Sequence, residues 1–341
     1  MTQALHKILI IGPSWIGDMV MAQALFKALK ADNPTVSIDV LALAWTKPLL
    51  DRMPEVNKAI TMPISHGVFG WQMRKQLGHD LRKAHYDQAI VLPNSWKSAL
   101  IPWFANIPVR TGWRGEMRYG LLNDLRTLDK QALPMMVQRY VSLAYPASQS
   151  KIAPSYIAPL MIAETPKAEF EFPLKPQQKR LIFCPGAEFG TAKQWPATHY
   201  AELANAMLSQ GWQLLILGSQ ADQTIAQDIV AKIDTQYSPA AFNLCGKTEL
   251  SDAIDLLGSA DSVVSNDSGL MHIAAALHRP LIALYGPTSP NFTPPLADNA
   301  QIVQIDVDCG PCFQRECPEG HHRCMQDISN KQIQTLIATL S

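Results

Sequence analysis

The sequence of 341 residues is poor in charge and lacks long apolar runs. Charged residues make up 17% and hydrophobic residues 47%, which excludes a disordered chain and predicts a globular protein with large cores. No run of about 18 apolar residues could span a bilayer. No N-terminal stretch combines a basic start, an apolar core and a cleavage site. We therefore expect a cytoplasmic protein without a membrane-spanning helix.

Motifs for several common partners are also missing. Neither half has Gly-x-Gly-x-x-Gly after its first predicted strand, which argues against an NAD-dependent oxidoreductase. No nucleic-acid-binding motif is present, so we expect no nucleic acid partner. Six cysteines in a chain of this length, without a secretion signal, argue against a small disulfide-stabilised scaffold.

The net charge of zero conceals an uneven distribution of charge. Residues 1–150 carry 17 basic and 10 acidic side chains, whereas residues 151–341 carry 12 and 19. A basic first half favours an anionic partner, although solvated surfaces alone could give the same counts.

Short apolar runs alternate with segments of helical period along the chain. "KILIIG" precedes "MVMAQALFKALK", and "RLIFCPG" precedes "THYAELANAML". This alternation predicts an α/β protein with parallel sheets. A polar, proline-containing stretch over residues 147–178 interrupts it. We predict two Rossmann-like domains over residues 1–165 and 175–325, facing a central ligand cleft, and a closing helix over residues 326–341.

The loop "CPGAEFGTAKQWP" follows the first predicted strand of the second domain. Its glycines permit close approach of the backbone, Thr191 offers a hydroxyl and Lys193 a cation, which together suit a pyrophosphate. A flexible loop with a surface lysine is the alternative.

A second loop, "SNDSGLMHIAAAL", passes directly from a strand into a helix. Asp267, Ser268 and Gly269 stand at the helix N-terminus, where free N–H groups can bind an anion. An ordinary N-cap is the alternative for Asp267 or Ser268. We expect His272, one turn later, to be packed or hydrogen-bonded rather than catalytic. The third loop, "YGPTSP", is a weaker signal.

The first domain begins with "IIGPSWIGDMVMAQAL", which has the layout of a phosphate-binding loop. Asp18, however, stands where a Walker loop has its lysine, and a carboxylate there would repel a phosphate. An acid in the first turn of a helix is favoured by the helix dipole, so a capping role is one interpretation.

Six stretches between residues 12 and 290 together resemble the ADP-heptose:lipopolysaccharide heptosyltransferases of glycosyltransferase family 9. They are "GPSWIGDMVMAQAL", "LPNSWKSAL", "RTGWRGEMRYGLLND", "KQWP", "SNDSGLMHIAAAL" and "YGPTSP". The resemblance implies a GT-B fold whose C-terminal domain binds ADP-L-glycero-D-manno-heptose. It also implies inverting, metal-independent transfer of the heptose to the first heptose of the lipopolysaccharide inner core, with no cofactor.

The implied reaction must stabilise a departing diphosphate and deprotonate the attacking hydroxyl. Asp18 matches the catalytic base of the family. The matching diphosphate-binding positions are Thr191, Lys193, Asp267, Ser268 and Gly269. By position alone, Asp222, Gly246 and Thr248 are candidates for contacts to the nucleoside.

The acceptor implied by the resemblance, heptosyl-Kdo2-lipid A, is anionic and embedded in the inner membrane. Peripheral contact with the cytoplasmic face of that membrane follows, although no amphipathic anchor stands out. Segments matching the acceptor domain contain Lys97, Arg110, Arg114 and Arg118, together with Trp96, Trp113 and Tyr119 for stacking on sugars. Surface pairing of the arginines with Glu116 and Asp124 is the alternative.

Two other functions remain open at the level of the sequence. The chain could act one sugar earlier, on Kdo, or it could bind a nucleotide sugar without catalysis. The loop "GPSWIGDM" and a cysteine-rich tail favour transfer to the first heptose.

The tail "CGPCFQRECPEGHHRCM" holds four cysteines and two histidines, at Cys309, Cys312, Cys317, Cys324, His321 and His322. A zinc or iron–sulfur site is conceivable, but zinc ribbons usually need two Cys-x-x-Cys knuckles and the tail has one. We expect free thiols and no metal.

Overall fold

The computed structural model describes residues 6–64, 67–149, 161–162, 175 and 177–340. It divides into two units, Met1–Leu160 and Met161–Ser341. The division falls inside the polar stretch that interrupts the sequence pattern. Residues 150–160 and 163–174, which include the predicted end of the first domain, lie outside the described residues.

The first unit contains a parallel sheet of six strands in the order β3-β2-β1-β4-β5-β6. The strands are β1 (Lys7–Ile11), β2 (Ser37–Leu43), β3 (Lys58–Met62), β4 (Gln88–Val91), β5 (Val109–Trp113) and β6 (Asp124–Arg126). The helices are α1 (Ile16–Asp32), α2 (Lys47–Leu50), α3 (Trp71–Leu81), α4 (Leu100–Phe104) and α5 (Met136–Val141).

The central strands of this sheet are buried on both faces, which explains their continuous apolar runs. From β1 to β3 successive strands are added on one side of β1, and from β4 to β6 they are added on its other side. Ligands of open α/β sheets bind where the strand order changes in this way, beyond the carboxyl ends of the strands. Gly12 follows β1 there, and a Cβ on it would lie 2.7 Å from the Met19 side chain. The glycine therefore serves the close packing of α1 on the sheet.

The second unit repeats this topology with the order β12-β11-β10-β7-β8-β9, again all parallel. Its strands are β7 (Arg180–Cys184), β8 (Gln213–Ile216), β9 (Ala241–Asn243), β10 (Ser262–Asn266), β11 (Leu281–Tyr285) and β12 (Ala300–Gln304). Its helices are α6 (Ala197–Leu208), α7 (Gln223–Val230), α8 (Leu250–Gly258), α9 (Gly269–Ala276), α10 (Arg323–Gln326) and α11 (Asn330–Leu340). The predicted pair of Rossmann-like sheets is confirmed.

The closing helix α11 belongs to the core of the second unit. Ile333 and Ile337 of this helix are fully buried in the same apolar cluster as Trp195. The Trp195 indole N–H donates to the Ile328 carbonyl at 3.0 Å, which fixes the segment before α11. None of the helices in the described part of the chain has the length and apolar character needed to cross a membrane.

Candidate active site

A cavity of about 410 Å³ opens in the first unit beyond the carboxyl ends of β1 and β4. Apolar side chains form much of its wall, including those of Ile11 and Leu92. The polar side chains on its lining are Ser14, Asp18, Arg74, Asn94, Ser95, Lys97, Ser98, Arg139 and Tyr140. The cavity therefore combines a carboxylate with three cations, a suitable environment for a polar, anionic ligand.

Asp18 is the third residue of α1 and is half-buried at the cavity. The hydroxyl of Tyr140, a side chain only 5% exposed, donates a hydrogen bond to its carboxylate. Burial, together with the charge of Asp18 and this hydrogen bond, raises the pKa of Tyr140 well above its usual value. The phenol therefore stays protonated and remains a donor. The hydrogen bond and the α1 dipole both favour an ionised Asp18.

Sequence reasoning missed Tyr140. It lies on α5, which packs against α1, and no local motif marks it. Only the tertiary packing of two helices more than a hundred residues apart brings its hydroxyl to Asp18.

The four predicted acceptor-binding cations have different surroundings. Lys97 lines the cavity, and its Nζ donates to the Gly67 carbonyl at 3.3 Å. Arg110 donates to the carbonyls of Leu121 and Ile107, both at 2.6 Å, and is not on the cavity lining. Arg114 is exposed and also lies off the lining. Direct acceptor contact for these residues stays a prediction.

Arg118 is fully buried. Its guanidinium donates to the carbonyls of Pro93, at 2.6 Å, and Trp113, and to Oδ1 of Asn94, at 3.3 Å. It thereby supports the loop after β4 from beneath. The hydrogen bonds of Arg110 and Arg118 thus go chiefly to carbonyls, and none of those described goes to Glu116 or Asp124.

The predicted aromatic residues are likewise separated. Trp113 lines the cavity but is only 4% exposed, and its indole donates to the Arg139 carbonyl at 3.0 Å. Tyr119 is 64% exposed and does not line the cavity. Trp96 stacks with Phe69 and Trp71 outside the lining.

In the second unit the three predicted loops meet beyond the ends of β7, β10 and β11. Nζ of Lys193 lies 2.6 Å from Oδ2 of Asp267. The hydroxyl of Thr288, in the loop "YGPTSP", donates to the same carboxylate oxygen at 2.7 Å. The chain thus holds a cation at the carboxyl edge of the sheet, where an anionic ligand of this fold would bind.

The loop that carries Lys193 also packs against Arg315, a residue that sequence reasoning missed. Nζ of Lys193 lies 5.0 Å from the centre of the Phe189 ring, and the Arg315 guanidinium lies 5.7 Å from it. The Ala192 N–H donates to the Arg315 carbonyl at 3.0 Å, and a Cβ on Gly190 would collide with that carbonyl. A second cation therefore accompanies Lys193.

The loop before α9 is held by its own polar side chains. Ser268 is the N-cap, and its hydroxyl accepts from the Met271 N–H at 3.4 Å, as the N-cap alternative predicted. Asn266 is fully buried and connects the ends of β10 and β7 by donating to the Pro185 carbonyl at 2.7 Å. Gly269 begins the helix, so the first N–H groups of α9 lie beside Asp267.

His272 is buried in the first turns of α9 and is 4% exposed. Burial lowers its pKa to about 4, an effect that Asp267 opposes and Lys193 reinforces. Its imidazole is therefore neutral near pH 7. Among the described residues its Nδ1 has no hydrogen-bond partner.

The predicted nucleoside positions lie at the ends of β7, β8 and β9. The Asp222 carboxylate accepts from N and Oγ of Ser219, both at 2.8 Å, and a Cβ on Gly186 would lie 2.6 Å from it. Gly246 adopts φ +69° and donates to the Gly218 carbonyl at 3.0 Å. Thr248 is half-buried two residues later. Their contact with a nucleoside stays a prediction.

The cysteines of the tail are free thiols. Sγ of Cys309 lies 3.9 Å from Nε2 of His321, and Sγ of Cys317 accepts from the His322 N–H at 3.4 Å. This hydrogen bond lowers the pKa of Cys317, whereas burial raises that of Cys324. Within the described ranges no group of three or more His, Cys, Asp or Glu side chains has a metal-binding arrangement.

Comparison with known proteins identifies similar chains over nearly the whole length. The model of glycosyltransferase family 9 (heptosyltransferase) matches residues 74–323. Lipooligosaccharide heptosyltransferase 2 of Haemophilus ducreyi is 51% identical, with 96% of this chain and 97% of that protein covered. Lipopolysaccharide heptosyltransferase 2 of Escherichia coli K12 is 48% identical, with 96% of each covered. The solved structure of E. coli ADP-heptose lps heptosyltransferase II has a TM-score of 0.87 at 47% identity, with 98% of each chain covered.

Proposed function

Because the chain belongs to glycosyltransferase family 9, we propose that it transfers L-glycero-D-manno-heptose from ADP-heptose to the first heptose of the lipopolysaccharide inner core. The observation that carries this proposal is the similarity to heptosyltransferase 2 proteins, about half identical over almost the full length. The predicted GT-B fold class agrees with the same similarity. Transfer is inverting and needs no metal.

Asp18 is the proposed base. Its carboxylate accepts the proton of the attacking acceptor hydroxyl, whose oxygen then forms a bond to C1 of the donor heptose while the bond from C1 to the β-phosphate oxygen breaks. The cavity in the first unit supplies a place for the acceptor sugar beside this carboxylate. Tyr140 keeps the carboxylate oriented and favours its charged form.

The departing ADP gains negative charge, which Lys193 stabilises together with the hydroxyl of Thr191 and the N–H groups at the start of α9. Asp267 acts on the diphosphate indirectly, because its carboxylate holds Nζ of Lys193. The ion pair is largely buried, so the lysine is positioned before the donor binds. Asp222, Gly246 and Thr248 remain the proposed nucleoside contacts.

The acceptor is heptosyl-Kdo2-lipid A, and its anionic groups suit the basic first unit. Lys97 is the proposed direct contact, since it lines the cavity with Asp18. Because this acceptor is anchored in the inner membrane, the protein acts in peripheral contact with the cytoplasmic face of that membrane.

The test supplies ADP-heptose with two truncated acceptors, one ending in Kdo and the other bearing the first heptose. We expect a mass increase of one heptose on the second acceptor alone. Transfer only to the Kdo-terminated acceptor would contradict the proposed acceptor. Binding of ADP-heptose with no extension of either acceptor would instead support the non-catalytic alternative.

A further inference from the structure

Five side chains of the first unit form an apolar surface outside the cavity, which we call the aromatic surface: Val68, Phe69, Trp71, Trp96 and Trp103. All except the half-buried Trp96 are between 42% and 47% exposed. Single exposed apolar side chains are common, but a contiguous group of this size, rich in tryptophan, marks a contact surface.

Three of the rings stack on one another with their faces offset. The centres of Phe69, Trp71 and Trp96 form a triangle with sides of 5.9, 6.0 and 6.5 Å, and their planes differ by at most 29°. In a column of three rings the outer pair would be about twice as far apart as neighbours. These rings therefore form a compact cluster of three mutually packed rings. Phe104 supports it from below, edge-on to Trp71 at 5.2 Å and to Trp103 at 4.9 Å.

Cations border the aromatic surface. Residues 67–104 contain five basic and two acidic side chains. Lys75 is exposed one helical turn after Trp71, and Nε of Arg82 donates to the Phe104 carbonyl at 2.8 Å. Lys97 follows Trp96 directly. The combination of exposed tryptophans and neighbouring cations is complementary to an anionic lipid surface.

The aromatic surface adjoins the cavity that contains Asp18. The buried Arg74 lines the cavity, and its guanidinium donates to the carbonyls of Phe69 at 2.6 Å, Val68 at 3.3 Å and Lys97 at 3.3 Å. Arg74 thereby joins the loop that carries Val68 and Phe69 to the loop after β4. The aromatic surface and the cavity are therefore neighbours in the first unit.

We propose that the aromatic surface inserts into the headgroup region of an anionic lipid bilayer. This inference rests on the proposed function, because the reacting heptose of that acceptor is only a few sugars away from its acyl chains. The cavity must therefore come close to the bilayer surface, and the aromatic surface beside it makes the contact. A platform for sugar alone would require the ring faces but not exposed Val68 and Trp103.

The test measures flotation of the full chain with vesicles of phosphatidylethanolamine and phosphatidylglycerol that contain no acceptor. The variant Val68→Ser/Trp103→Ser is compared with Val109→Ser/Ile302→Ser, whose parent side chains are similarly exposed outside the aromatic surface. We expect the first variant to bind vesicles about tenfold more weakly, and the control to bind like the parent chain. Val68→Asp should reproduce the loss.

Transfer to a deacylated, water-soluble acceptor is measured on the same variants and should be unchanged. Equal vesicle binding by all chains would overturn the inference, as would loss of transfer to the soluble acceptor with vesicle binding intact, which would assign the surface to sugar. A dimeric parent chain that becomes monomeric in the first variant would assign it to a second copy. If the parent chain extends no acceptor, the proposed function fails, while flotation still decides on the aromatic surface.

Discussion

Lys193 and Asp267 form an ion pair of 2.6 Å between the ends of neighbouring strands β7 and β10. Their side chains are 12% and 7% exposed, and Thr288 donates to the same carboxylate. The cation proposed to bind the diphosphate is thus part of a buried polar group. Its removal should affect both ligand binding and stability.

We expect Lys193→Met to weaken ADP binding by at least about tenfold, because a charge-assisted contact to phosphate is lost. The same change should lower the free energy of unfolding by about 3–5 kcal/mol, since it leaves the Asp267 carboxylate buried and unpaired. Titration calorimetry with ADP and denaturant unfolding measure the two effects.

The double variant Lys193→Met/Asp267→Asn separates the effect on ADP binding from the effect on stability. It removes the unpaired charge, so most of the stability should return while ADP binding stays weak. Lys331→Met, at an exposed lysine of α11, is the matched control and should change neither quantity. Full ADP affinity in Lys193→Met would disprove the diphosphate assignment.

His272 should make the protein less stable in mild acid. Its pKa is about 4 in the folded chain against 6.5 for the ordinary group, so only the unfolded state takes up the proton between these values. The contribution of the neutral His272 side chain to the free energy of unfolding is fully present above pH 6.5 and is lost as the pH falls towards 4. At pH 5 the loss amounts to about 2 kcal/mol.

Denaturant unfolding at pH 7.5 and pH 5 tests this prediction. His272→Asn removes the titrating group, so its stability should depend less on pH than that of the parent chain. His85→Asn, at an exposed histidine with positive φ that asparagine tolerates, is the control and should keep the full dependence. An identical pH dependence in His272→Asn and the parent chain would refute the role of His272.

Substitution of the buried Arg118 should lower the stability of the protein, whereas substitution of the exposed Arg114 should leave it almost unchanged. Arg118→Met leaves the carbonyls of Pro93 and Trp113 without their donor, so we expect a loss of about 3 kcal/mol in unfolding free energy or more. Arg114→Met alters an exposed side chain and should change stability by no more than about 0.5 kcal/mol. If Arg114 contacts the anionic acceptor, its loss raises KM for the acceptor while kcat is kept. Unfolding and steady-state kinetics on both variants distinguish support of the loop from contact with the acceptor.

The sequence predicted the two sheets because buried parallel strands are continuous apolar runs, which stand out from the helices between them. The loops around Asp18, Lys193 and Asp267 followed from that topology, since the carboxyl ends of parallel strands share one edge. Side chains supplied from distant segments were not predictable. Tyr140 and Thr288 reach the two carboxylates only through tertiary packing.

The burial or exposure of individual side chains was also not predictable from the sequence. Arg118 resembles a surface cation in sequence, yet it is fully buried among carbonyls. Trp71 on α3 and Trp103 on α4 are large apolar residues, yet both are 42% exposed. The residue type alone determines neither the burial of Arg118 nor the exposure of the two tryptophans, because both depend on which side chains the neighbouring elements cover.

Asp18→Asn should lower kcat by about 10²–10⁴-fold, because an amide cannot accept the proton of the attacking hydroxyl. ADP affinity should stay close to that of the parent chain, since the diphosphate positions lie in the other unit. Single-turnover transfer and ADP titration measure the two quantities. A variant with a near-normal rate would rule out Asp18 as the base.

Tyr140→Phe tests how the base is positioned. It removes the hydrogen bond that favours a charged Asp18, so the acidic limb of the pH–rate profile should move to higher pH, with a smaller loss of kcat at alkaline pH than at neutral pH. Tyr119→Phe alters an exposed phenol and should leave the profile unchanged. A purely structural role for Tyr140 would lower the rate equally at every pH, because the protonation of Asp18 would then be unaffected. The pH dependence, rather than the size of the rate loss, therefore decides whether Tyr140 acts through the carboxylate.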